Sequence, residues 1–114
     1  MSEFKVNVDD SRDTPLVLEL SGKLLTQDLK ALQAAIDQQF EVQNYELVLD
    51  LSETESMLSS HLGAIYQRSQ IAKQKGGKLA LACPNEFIGT AIQRVGFQRV
   101  IEIHDDLASA LASF

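Results

Sequence analysis

Apolar and polar residues alternate at the start of the chain, with Phe4, Val6 and Val8 on one side. That period of two is the signature of a half-buried strand. A polar stretch from Asp9 to Thr14 reads as a turn, and Leu16 to Ser21 as a second strand stopped at Gly22. The period then changes. Thr26 has the chemistry of an N-cap, with Asp28 in the first turn behind it. Leu29, Leu32, Ile36 and Phe40 follow at helical spacing, predicting an amphipathic helix to about Val42. Leu47-Val48-Leu49-Asp50-Leu51 is a short apolar run of the kind found in the middle of a sheet.

The second half repeats the alternation of strand and helix. Ser59 and Ser60 precede Leu62, Ile65, Ser69 and Ala72, a helical stripe ending at Gly76-Gly77. Lys78 to Ala82 reads as a strand. Pro84-Asn85 opens a third helix carrying Ile88, Ile92 and Val95, closed by Gly96. Val100 to Ile103 reads as the last strand. Asp105 or Asp106 caps a terminal helix with Leu107, Leu111 and Phe114 on its inner side. The order β-β-α-β-α-β-α-β-α predicts an α/β fold: a mixed sheet, largely parallel beyond its opening pair, with about four packed helices. Leu29, Leu32, Ile36, Leu49, Leu62, Ile65, Ile92 and Leu111 are the expected core.

Composition narrows the class. At 114 residues the chain is read as one domain, 1–114, large enough for its own core. A net charge of −6 argues against a nucleic-acid surface or an anionic membrane as partner. No window approaches the run of apolar residues that a membrane span needs. Met1-Ser2-Glu3-Phe4-Lys5 lacks the basic-then-apolar pattern of a signal peptide, and the single cysteine, Cys83, has no internal partner for a disulfide. The expected compartment is the cytoplasm.

Catalytic chemistry finds little support. His61 and His104 lie far apart, and with one cysteine they do not make a zinc set. His61 is expected in a first helical turn facing solvent, His104 in the turn before the last helix. Cys83 reads as a half-buried apolar residue. Gly76-Gly77-Lys78 joins a helix to a strand, the reverse of the order a phosphate loop requires. Glu53 and Glu55 are expected in a solvated loop, and Asp50 to hydrogen-bond nearby backbone. Arg68, Lys73, Lys75 and Lys78 are four charges in an acidic domain and read as a solvated face. No enzyme, cofactor or metal is expected.

The distinctive segment runs from Leu47 to Gly63. A buried strand leads to a helix whose first residues are two serines, where backbone N–H groups are free and the helix dipole is positive. N-capping alone would account for Ser59 and Ser60. A serine at such a place is also suited to phosphorylation, which adds about −1.5 to −2 charges where the helix end tolerates them.

At this segment the chain resembles a STAS domain of the anti-sigma-factor antagonist family. The family pattern is an apolar strand, Asp-Leu-Ser, about six residues, then Asp-Ser-Ser-Gly-Leu-Gly. Here it reads Leu47-Val48-Leu49-Asp50-Leu51-Ser52, then Glu53 to Met57, then Leu58-Ser59-Ser60-His61-Leu62-Gly63. Gly22-Lys23-Leu24, Gly76-Gly77-Lys78-Leu79-Ala80-Leu81, Val95-Gly96-Phe97 and Ile103-His104-Asp105 extend the likeness over nearly the whole chain. The resemblance implies partner switching. The unmodified domain binds an anti-sigma factor, often a serine kinase with a histidine-kinase-like ATPase fold. That kinase modifies the first serine of the pair, here Ser59 with Ser60 as the fallback, and a PP2C-type phosphatase restores binding. Met57, Leu58, Ser59, Ser60, His61 and Leu62 are the expected partner-binding residues. Three positions depart from the family: Leu58 for an acid, His61 for a glycine and Leu25 for an acid. The alternative is a constitutive STAS adaptor in a larger complex, such as a lipid-transport ATPase, with an unmodified serine.

Overall fold

The apolar run around Leu49 forms the middle of a five-stranded sheet. In the computed structural model, which describes residues 3–9 and 14–114, the chain order is β1 (Lys5–Asp9), β2 (Leu16–Lys23), a 3-10 turn (Thr26–Asp28), α1 (Leu29–Glu41), β3 (Glu46–Ser56), α2 (Ser59–Gln74), β4 (Lys78–Ala82), α3 (Glu86–Arg94), a second 3-10 turn (Phe97–Arg99), β5 (Glu102–His104) and α4 (Leu107–Ala112). The turn expected between Asp9 and Thr14 lies, except for its ends, outside the described residues. Strand order in the sheet is β1-β2-β3-β4-β5, with β1 antiparallel to β2 and every other pair parallel. The predicted mixed α/β sheet with four helices is the observed one.

Each strand sorts its side chains by parity. Leu16, Leu18, Leu20, Leu47, Leu49, Leu51, Leu79 and Leu81 face one side, where α1, α2 and α3 cover them with Leu32, Ile36, Leu62, Ile65, Ile88 and Ile92. Val17, Val48 and Ala82 face the other side under α4. Leu49 is fully buried at the centre. Leu29 and Leu111, expected in the core, are only half-buried. Leu29 opens α1 at the edge of the covered face. In the short α4 it is Ala110 that meets the sheet, with Leu107 and Leu111 beside it.

Several boundaries differ from the expectation. Strand β2 does not stop at Gly22 but runs through it to Lys23. Glycine is needed there for another reason: its φ is +90°, and a Cβ would strike the Glu3 carbonyl. Strand β3 continues past Ser52 to Ser56, pairing Glu53 and Thr54 with Ser21 and Gly22, so Glu53 and Glu55 lie on a strand rather than in a loop. Both remain exposed. The stretch Phe97–Arg99 is helical, Val100 is exposed, and β5 begins only at Glu102. His104 is the last residue of β5 and pairs with Glu102. At Gly76-Gly77 the predicted helix stop is observed. Gly76 is left-handed, and the Gly77 N–H reaches back to the Ala72 carbonyl, closing a Schellman turn.

Candidate functional site

Helices α2 and α3 both start beside the C-terminal end of β3, and they start differently. At α3 the N-cap is Asn85, whose Oδ1 accepts the Ile88 N–H at 2.8 Å. Its Nδ2 donates to the carbonyls of Thr54 and Glu55 at 3.0 and 3.1 Å. One side chain thus caps α3 and pins it to β3. The Thr54 hydroxyl in turn donates to the Leu20 carbonyl at 2.7 Å, fixing the strand end itself.

At α2 neither serine is the cap. Leu58 takes that place with extended backbone, and its carbonyl accepts the N–H groups of His61 and Leu62. Ser59 and Ser60 are therefore the first two helical residues, and among the described residues neither hydroxyl has a hydrogen-bond partner. Their backbone N–H groups are the orphan donors of the first turn. Both residues are exposed. Sequence reasoning placed the pair at the helix start but gave it a capping role that Leu58 and His61 perform instead.

His61 corrects the expectation most sharply. It sits in the first turn as anticipated but is 0% exposed rather than facing solvent. A side chain at this position leans back toward the helix N-terminus. There Nδ1 accepts the Leu58 N–H at 2.9 Å, and Nε2 lies 3.0 Å from the Leu25 carbonyl. A backbone N–H can only donate, so Nδ1 carries the lone pair and Nε2 the proton, which it gives to Leu25. With both nitrogens bonded, burial of the neutral ring carries no unpaired polar atom.

The six expected partner residues divide by depth. Leu58, Ser59 and Ser60 lie at the surface, while Met57, His61 and Leu62 lie beneath and support them. Leu58 is 43% exposed. Ser59 stands between two clefts. Phe87, Ala91, Arg94 and Val95 of α3 and its end line one; Leu62, Tyr66, Val95, Phe97 and Val100 line the other. Phe87 and Val95 are 65% and 59% exposed, so Val95 leaves the core stripe that its helical spacing with Ile92 suggested. Residues 87, 91 and 95 form a second apolar stripe at i, i+4 and i+8, beside the buried Ile88 and Ile92.

The remaining candidates have structural settings. Asp50 is buried and accepts the Ser52 N–H at 3.0 Å, as expected. Cys83 is half-buried, and burial first, then the Asp50 carboxylate, pushes its thiol pKa up. A raised pKa keeps the thiol protonated and weakly nucleophilic. Arg68 grips Asp37 with two parallel bonds of 3.1 and 3.0 Å, tying α2 to α1, and Lys78 pairs with Glu102. Among the described residues no group of three or more His, Cys, Asp and Glu is placed to hold a metal, and no helix is long and apolar enough to cross a membrane.

Known proteins resemble the chain in sequence and share its fold. The chain is 29% identical over 97 residues to the anti-sigma F factor antagonist of Paenibacillus polymyxa, covering 84% of this chain and 83% of that protein. An anti-sigma factor antagonist from Mycobacterium paratuberculosis superposes with a TM-score of 0.87 at 21% identity, over 97% of this chain and 93% of that one. The Bacillus cell fate determinant SpoIIAA in its phosphorylated form gives 0.68 at 17% identity, over 87% and 90%. A sulfate transporter family protein from Wolinella succinogenes gives 0.71 at 18%, over 85% and 81%. At such identities the structures speak for the fold alone. The family model described as the STAS domain matches residues 5–110, nearly the whole chain, and this protein belongs to the STAS domain family.

Proposed function

We propose that this chain is an anti-sigma-factor antagonist that works by partner switching at Ser59. The observation that carries the reading is the state of that serine: an exposed, uncommitted hydroxyl at the first position of α2, between an apolar cleft and one of mixed lining that includes Glu86 and Arg94. With the hydroxyl free, the face formed by Leu58, Ser59 and Ser60 binds an anti-sigma factor, a serine kinase with a histidine-kinase-like ATPase fold. The kinase modifies Ser59, the complex separates, and a PP2C-type phosphatase restores it. The relative named as an anti-sigma F factor antagonist supports the partner class. A fold neighbour solved in a phosphorylated form supports the chemistry.

The energetics of such a switch are adequate. A phosphate at the α2 N-terminus gains about 0.3–1 kcal/mol from the helix dipole, so the fold tolerates it. At an interface shaped for a neutral hydroxyl the same group must be desolvated, at a cost of several kcal/mol. A penalty of about 3 kcal/mol weakens binding roughly a hundredfold. Glu53 and Glu55, exposed on the end of β3, make the modified face more acidic still.

The test is calorimetric binding of wild type, Ser59→Ala and Ser59→Glu to kinase-type anti-sigma factors, with mass analysis of the Ser59 peptide after incubation with ATP. Ser59→Ala is expected to bind permanently and Ser59→Glu poorly, with Ser60 as the fallback site. Unchanged affinity when both serines are glutamate would favour the constitutive adaptor instead.

A further inference from the structure

The three positions at which this chain departs from the family pattern are not scattered in space. Leu25 and His61 are 36 residues apart in sequence, yet the imidazole Nε2 lies 3.0 Å from the Leu25 carbonyl while Nδ1 holds the Leu58 N–H at 2.9 Å. One ring therefore bridges Leu25, which caps the Thr26–Asp28 turn ahead of α1, and Leu58, which caps α2. Both leucines are 43% exposed, and the ring between them is wholly buried. The Leu25 end is held from its other side too: its N–H donates to the Asp28 carboxylate at 2.8 Å, and its carbonyl accepts the Asp28 N–H.

We propose that His61 is a positioning residue whose neutral imidazole, protonated on Nε2, joins the Leu25 turn to the Leu58–Ser59 start of α2 so that a partner meets them as one surface. The inference rests on the Ser59 reading for what the surface binds, but not for how it is built. Leu24 already donates its N–H to the Ser56 carbonyl at 3.1 Å, and the ring, bonded at both nitrogens, carries that link forward to the exposed Leu25 and Leu58. Without the Nε2 bond Leu25 would be held only through its own turn and the Leu24–Ser56 contact, and the freedom it regains would be lost again on binding, an entropic cost that falls on affinity. The surface offered is apolar at both leucines, so the partner segment opposite Leu25 and Leu58 is apolar as well.

Two variants separate the two bonds. The Asn oxygen of His61→Asn takes the place of Nδ1 and keeps an acceptor for Leu58, but it cannot reach Leu25. His61→Ala removes both bonds. By hydrogen exchange the Leu58 amide should be protected in wild type and in His61→Asn and should exchange at least about tenfold faster in His61→Ala. The Asp28 amide should lose protection in both variants. Equal protection of Leu58 and Asp28 in all three proteins overturns the proposal whether or not any partner is bound. In wild type the nitrogen shifts of the ring should report the Nε2–H form, and the Nδ1–H form would equally overturn it.

The second arm uses the anti-sigma F factor of Paenibacillus polymyxa as probe. His61→Asn and Leu25→Ala should each weaken binding about tenfold, and the double variant by little more than either, because both act through one contact. Additive losses, about a hundredfold in the double variant, would mean that His61 does not act through Leu25. If wild type fails to bind this probe, the Ser59 reading loses its partner class, while the exchange arm still decides the role of His61. If binding is coupled in this way but indifferent to Ser59→Glu, the phospho-switch fails and the positioning role stands.

Discussion

Two helices begin at the same end of the same strand, and only one of them is finished. The start of α3 is closed by Asn85, which satisfies its own helix through Ile88 and the end of β3 through Thr54 and Glu55. The start of α2 is closed from behind, by the Leu58 carbonyl and the buried His61, and its two serine hydroxyls remain uncommitted. The contrast separates two uses of a polar residue at a helix start. Asn85 stabilises the fold and has nothing left to offer. Ser59 and Ser60 contribute almost nothing to the fold and are free to meet something else. An unused hydroxyl in a well-capped turn is a more pointed observation than a serine at a helix start, which by itself is most simply a cap.

The largest expected effect tests what the two starts share. Both hang on β3, and Leu49 is fully buried at its centre. Leu49→Ala should destabilise the protein by about 2–5 kcal/mol in chemical denaturation, since a cavity remains where the side chain was. A loss well under 1 kcal/mol would contradict the central place of the strand. Next comes Ser59→Glu, expected to weaken binding of a kinase-type anti-sigma factor about a hundredfold while the thermal midpoint hardly moves. A variant that loses stability along with affinity would break the division of labour.

Asn85→Ala should show the opposite profile, costing about 1–2 kcal/mol through the lost cap and its two carbonyl contacts. Its partner affinity should fall far less than that of Ser59→Glu. Ser60→Ala should change stability by no more than about 0.5 kcal/mol. A larger loss would mean that the hydroxyl is engaged after all.

The smallest effect lies away from both starts. Glu102 is held down to about 2 from an ordinary 4.5, first by the hydrogen bond from His104 and then by Lys78. A depressed carboxylate contributes stability that is whole above about 4.5 and is lost as pH falls through about 2. Because Glu102 is 40% exposed and screened, the loss should stay below about 1 kcal/mol. Urea midpoints of wild type and Glu102→Gln should differ at about pH 6 and converge only below about pH 2. A gap that persists at the lower pH would show that the glutamate acts through something other than its charge.

Among the described residues the periods of two and 3.6 were enough to locate the five strands and four α-helices, though not the two 3-10 turns, because each pattern is imposed by which face of the element is covered. They also located Ser59 and Ser60 at the start of α2, and the central strand before it. The ends of elements were harder. Strand β3 runs on through Glu53 and Glu55 only because Ser21, Gly22 and Lys23 of β2 lie alongside to pair with it. No local signal in a run of polar residues announces a partner strand.

What the sequence determined by itself is the order of the elements, the polarity of their faces and the place of the serine pair, all of which follow from neighbours a few residues apart. What only the tertiary structure decided is which apolar residues stay outside and which polar ones go in. Val95 continues the spacing of Ile88 and Ile92, yet it is exposed beside Phe87 because the sheet covers only one side of α3. His61 has the composition of a surface residue and is buried, because the carbonyl that makes burial tolerable comes from Leu25, on the far side of α1 and β3 in the chain. A hydrogen bond of that separation exists only once the sheet has brought its ends together, and no period along the chain encodes it.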